Sequence, residues 1–110
     1  MMHQMKLQPL PFSQIKEGSK TIESRLNDEK RQLINIGDQI EFLLANDESQ
    51  KVLTRVVDLH KFKTFPKLFS SFAPEEFGGK DQDDLMGIYK YYSKEDEEKY
   101  GVVGIEIKVL

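Results

Sequence analysis

At 110 residues and 12.8 kDa, with 38% apolar and 10% aromatic residues, the chain has the size and composition of one globular domain, residues 1–110, built on one core. A net charge of −3 argues against a general duplex binder, and the lack of cysteine excludes disulfides, thiolate metal sites and cysteine nucleophiles. No apolar run approaches the ~20 residues of a membrane span, and Met1-Met2-His3-Gln4-Met5-Lys6 offers no stretch for a signal peptide, so the expected setting is the cytoplasm.

The charge is uneven. Residues 1–62 carry nine basic and nine acidic side chains, and residues 63–110 carry seven and ten. Any nucleic-acid contact is therefore expected on the N-terminal half and should be local. A pocket for one nucleotide needs only two or three cations.

In chain order, Met5-Lys6-Leu7-Gln8 alternates and predicts a short first strand. Pro9 and Pro11 open a brief helix with Phe12 and Ile15 on one side, and Gly18 stands where a helix C-cap belongs. Thr21 to Leu26 resumes an extended run. Asn27 to Ile36 reads as a polar connection with one helical turn. After the Gly37-Asp38 turn, Gln39 to Ala45 predicts a strand with Ile40, Phe42 and Leu44 on one face. Asn46 to Ser49 reads as a hairpin loop, and Lys51 to Phe62 as a long strand apolar on both faces, hence covered on its outside.

Phe65, Leu68, Phe69 and Phe72 then recur at helical spacing, with Thr64 as N-cap and Pro66 in the first turn; this stripe reads as core. A loop over 74–79 and a helix from Gln82 to Tyr91 follow. Ser93 to Asp96 resembles a capping box for a short acidic helix ended by Gly101, and Val103, Ile105, Ile107 and Val109 form a last strand. The order predicts a mixed α+β barrel rather than a parallel α/β sheet.

The chemistry concentrates in Gly18-Ser19-Lys20-Thr21-Ile22-Glu23-Ser24-Arg25. Alternation puts Thr21, Glu23 and Arg25 on one side of a strand, Ile22 and Leu26 on the core side, and Lys20 at its mouth. Lys supplies a point charge, Arg a planar fork for phosphate or a base edge, and Glu an acceptor or general base. The plainer reading is a surface strand carrying an ion pair.

The pattern G-x-K-T-x-E-x-R, then G-D-x-I-x-F (Gly37, Asp38, Ile40, Phe42), then Phe65 and Leu68, resembles the ASCH (activating-signal-cointegrator homology) domain family. The tail from Tyr91 through Ile105 is also similar to small bacterial ASCH proteins. The resemblance implies a PUA-like mixed β-barrel of five or six strands with flanking helices and a cleft beside the K-T-x-E-x-R strand. It implies RNA or a nucleoside as partner, held by Lys20, Thr21, Glu23 and Arg25, with no cofactor, metal or membrane. Some family members are hydrolases, and a deacetylating branch reads K-T-x-T-x-R with a catalytic Lys, Thr and downstream Glu. Lys20 and Arg25 match that pattern. Glu23 replaces the threonine, and Glu75 or Glu76 is the counterpart of the downstream Glu.

Two functions follow as expectations: binding of a nucleoside or short single-stranded RNA, or hydrolysis as an N4-acetylcytidine-type amidohydrolase or ribonuclease with Lys20 and Glu23 catalytic. The other candidates carry less. His3 and His60 are far apart, so a histidine metal site is not expected, and His60 is placed at solvent or a strand edge. The stretch Asp81 to Asp84 lacks the glycine and the final Glu of a calcium loop. Glu95 to Glu98 reads as helix-start charge, Ser93 as an N-cap, and Tyr89, Tyr91 and Tyr92 as base-stacking candidates with at least one in the core.

Overall fold

The computed structural model describes all residues, 1–110. Five strands form one sheet: β1 (Met2–Leu7), β2 (Ile22–Leu26), β3 (Gln39–Leu44), β4 (Asp47–Phe62) and β5 (Val102–Val109). Their order is β1-β3-β4-β5-β2, with β1 parallel to β3 and the other pairs antiparallel. The sheet curls into a half-barrel. Its edges β1 and β2 share no ladder, and one side chain crosses between them: Arg25 Nη2 donates to the Lys6 carbonyl at 3.1 Å.

β4 organises the curl. Its first half pairs with β3 and its second with β5, and the register shifts between Val56 and Asp58. A bulge of this kind bends a strand and re-aims the residues after it. The hairpin to β3 is tighter than the sequence predicts, because Asp47, Glu48 and Ser49 already belong to β4. The expectation of a covered outer face on β4 is not met: Leu53 and Val57 are 37% and 41% exposed. β1 also begins earlier than predicted, at Met2, because its parallel pairing with β3 runs from Met2 opposite Gln39.

The helices are α1 (Pro9–Glu17), α2 (Phe65–Phe69), α3 (Gln82–Leu85) and α4 (Lys94–Tyr100). α1 stops where Gly18 turns left-handed, at φ 86°, a conformation that costs glycine nothing. Its Phe12 and Ile15 join Met5, Ile40, Phe42 and Ile105 in the core inside the curl. α2 is capped by Thr64, whose side chain accepts from Lys67 N. Phe65, Leu68 and Phe69 build a second core with Ile22, Leu26 and Val102 on the other face of β2 and β5. The helix expected over 82–91 is α3 followed by a tighter 3-10 turn, Met86–Lys90, and the loop at 74–79 holds a 3-10 turn, Pro74–Phe77. No helix is long and apolar enough to cross a membrane.

Candidate functional site

A cleft of about 540 Å³ opens along the seam between the sheet edges. Lys20, Glu23 and Arg25 reach it together with Phe69, Phe77 and Tyr92. Lys20 arrives from the turn that follows α1, whose Gln14 carbonyl accepts from both Ser19 N and Lys20 N. The Gln14 side chain in turn donates to the Gly78 carbonyl at 3.0 Å. Gly78 is left-handed, at φ 86°, and a Cβ there would lie 3.0 Å from Lys20 Cδ and 2.5 Å from Gln14 Oε1. The lysine stem is thus backed by bare backbone.

Glu23 is buried, and each carboxylate oxygen has its own cation. Oε1 lies 2.9 Å from Lys20 Nζ, and Oε2 accepts from Arg25 Nε at 2.6 Å. Burial alone would push the Glu23 carboxyl up. Lys20 and Arg25, by charge and hydrogen bonding together, outweigh it and hold the group down to about 2. For Arg25, burial works against the charged form, while Glu23 and then Tyr92 hold the guanidinium above its ordinary range. The three groups carry a net charge of about +1 at neutral pH, fixed in place before any ligand arrives.

The strand that carries them does not bring every expected residue to the cleft. Thr21 is not part of the lining; its backbone instead ties neighbours together, accepting from Ile107 N and donating to the Glu76 carbonyl. Neither Glu75 nor Glu76 reaches the cleft, and the Glu76 carboxylate caps its own turn by accepting from Ala73 N at 3.0 Å. Tyr91 and Tyr92 line the cleft, Tyr91 at 74% exposed and Tyr92 stacked on Phe65, while Tyr89 packs edge-on against the same Phe65 ring in the second core. Ser24, adjacent to Glu23, is a lining residue that alternation assigns to the core face. Asp84 lines the cleft too, with its Oδ2 accepting from Lys80 N.

The histidines sit elsewhere. His3 Nε2 is 2.8 Å from Asp38, which anchors the start of β1 to the turn before β3. His60 packs at a tilt against Phe72, with Nε2 2.8 Å from Glu106 and 3.9 Å from Asp58. The β4 bulge places Asp58 opposite Glu106 and so gathers three ligand-type atoms within 4.8 Å of one another, a cluster that sequence spacing does not show. Within it, His60 Nε2 and Glu106 Oε1 are at hydrogen-bond distance, 2.8 Å.

A search of curated proteins finds no match. The crystal structure of hypothetical protein PH0355 is 34% identical and superposes with a TM-score of 0.88, covering 100% of both chains. The solution NMR structure of protein PF0455 from Pyrococcus furiosus is 35% identical with a TM-score of 0.76, covering 100% of this chain and 98% of that one. The sequence model of the ASCH domain matches residues 5–110, and that membership supports a generic RNA-binding function of PUA-like type. With the family matched over nearly its whole length and the half-barrel shared with two solved structures, the chain belongs to the ASCH domain family.

Proposed function

We propose that residues 1–110 act as one domain that binds a nucleoside or a short single-stranded RNA in the seam cleft. The observation that carries this reading is Glu23 held between Lys20 and Arg25 at a cleft that also presents aromatic rings. The carboxylate fixes two cations in place, so little side-chain entropy is lost when an anion or a base edge arrives. Tyr91, which is exposed in the cleft, supplies stacking surface of the kind single-stranded ligands use. A chain without cysteine and without an apolar spanning helix fits a cytoplasmic RNA partner.

The same geometry weighs against hydrolysis with Glu23 as base. A carboxyl held near 2 is a weak proton acceptor at neutral pH, and a general base works best with a pKa near the working pH. Lys20 Nζ is occupied by that carboxylate, 2.9 Å away.

The test is equilibrium binding of short single-stranded RNA and of nucleosides across a salt series, with chromatography of the products. One or two phosphate contacts give a slope of log K against log salt of about −0.7 to −1.4. Lys20→Ala and Arg25→Ala should each weaken binding roughly tenfold or more, the scale of one charge-assisted hydrogen bond. Absence of binding to every ligand, with the fold intact by circular dichroism, overturns the reading. Turnover that survives in wild type and vanishes in Lys20→Ala would replace it with the hydrolytic one.

A further inference from the structure

Ser24 is the cleft residue whose polar atoms the chain leaves unused. It stands between Ile22 and Leu26, whose side chains belong to the second core, and it is 8% exposed. It lines the cleft, and its hydroxyl takes part in none of the chain's side-chain hydrogen bonds.

The backbone of the same residue adds two more groups. Asn27 N–H donates to the Gly101 carbonyl at 3.0 Å and Ile107 N–H to the Thr21 carbonyl at 2.9 Å, which sets the phase of the ladder between β2 and β5. In an antiparallel pair, residues that exchange bonds alternate with residues that do not. Glu23 and Arg25 therefore bond to β5, and Ser24 turns its N–H and C=O to the other side. That side is a sheet edge, since β2 has no second neighbour. Nearly all buried backbone groups are paired in native proteins, so a buried serine with three uncommitted hydrogen-bonding groups beside a cleft marks a ligand contact.

The complement is chemically defined. One extended residue presents its N–H and C=O side by side, so its partner carries an acceptor and a donor on adjacent atoms of one planar edge. Every nucleobase has such an edge where it pairs. The same cleft is lined by Leu85, Ile88 and Tyr91, apolar and aromatic surface of the kind that accepts a flat ring. We propose that Ser24 reads the pairing edge of a base through its N–H, C=O and Oγ, while Lys20 and Arg25 serve the anionic or sugar part. The inference rests on the nucleoside-binding reading above and assigns the base-reading role within it to a residue outside the cationic triad.

Calorimetry on the full chain tests it. The probes are the four ribonucleosides, each beside a neutral counterpart lacking the donor of that edge: N3-methyluridine, N4,N4-dimethylcytidine, N6,N6-dimethyladenosine and N1-methylguanosine. Ribose 5-phosphate reports the anion contact alone. For the nucleoside that binds best, the blocked counterpart should bind about tenfold more weakly or worse, as loss of one hydrogen bond with an unpaired carbonyl left behind implies. Ser24→Ala should weaken the parent nucleoside roughly three- to tenfold, Ser24→Thr should restore it, and neither should change binding of ribose 5-phosphate. Lys20→Ala should weaken both the parent nucleoside and ribose 5-phosphate. Equal affinity for parent and blocked nucleosides, or Ser24→Ala indistinguishable from wild type while Lys20→Ala weakens binding, overturns the role of Ser24 and leaves the nucleoside reading standing. If no nucleoside binds, the role of Ser24 falls, while the single-stranded RNA reading is decided by its own titration.

Discussion

Glu23 and Glu97 are both buried carboxylates, at 5% and 6% exposed, yet the chain satisfies them in opposite ways. Glu23 is held by two full charges, Lys20 and Arg25, at the mouth of a cleft. Glu97 has no salt bridge. Its Oε2 accepts from Phe65 N at 2.8 Å and from the Tyr89 hydroxyl at 2.7 Å, so it caps the start of α2 and fastens α4 to the 3-10 turn before it. Dipoles suffice where the task is to join elements. Two cations around one carboxylate leave a surplus positive charge, which is of use to a ligand and of little use to packing. Burial alone therefore does not separate a site from a structural joint; the charge left over after pairing does.

Truncation gives the largest contrast. Glu23→Ala strands two cations in a largely buried setting and should cost about 3–5 kcal/mol in urea unfolding, the usual range for breaking a buried ion pair from one side. Glu97→Ala leaves one N–H and one hydroxyl unpaired and should cost about 1–3 kcal/mol. A loss at Glu97 equal to or greater than that at Glu23 would break the comparison.

Acid sharpens it next. The folded Glu23 carboxyl titrates near 2 against an ordinary value of 4.5, so its contribution is complete above about pH 4.5 and disappears as pH falls toward 2. Asp38, held down to about 2 chiefly by its hydrogen bond with His3 and then by Asn35 N–H, adds a second loss, from its ordinary 3.8 downward. The urea midpoint should fall across this window in wild type. Glu23→Gln should start lower and fall less steeply, keeping the part due to Asp38. Parallel curves for the two proteins would mean that Glu23 is not held ionised by its neighbours.

The sequence makes some of this contrast legible. G-x-K-T-x-E-x-R places Lys20, Glu23 and Arg25 together because strand alternation and a helix-ending glycine act over a few residues, and the structure shows the three side chains in contact. The alternating runs of β3 and β5 and the caps at Gly18, Thr64 and Ser93 are legible for the same reason. Glu97 reads as helix-start charge because its partners, Phe65 and Tyr89, come from other elements, 32 and 8 residues away. Ser24 hides for a different reason: parity assigns it to the core face with Ile22 and Leu26, and nothing local says that this face opens into a cleft. The exposed Leu53 and Val57 misled in the opposite sense, since apolar residues on both faces of β4 imply a cover that no element supplies.

The smallest effect is spectroscopic and isolates the Glu97 half of the comparison. The Tyr89 phenol is pushed up to about 12, first by burial and then by its hydrogen bond to Glu97 and the charge of that carboxylate. All three causes act on the ionised form: a phenolate would lose solvation, give up the proton it donates, and face the Glu97 charge at close range. An ultraviolet titration of the four tyrosines should therefore contain one component near 12, about two units above the ordinary phenol value of 10.0. Tyr89→Phe should remove that component. Glu97→Gln should move it downward without abolishing it, because the glutamine oxygen still accepts the hydrogen bond while the repelling charge is gone. Glu23→Gln should leave it in place, since Glu23 is not among the groups that shift Tyr89. A high component that responds to Glu23→Gln and not to Glu97→Gln would mean that the two carboxylates are not the separate units described here.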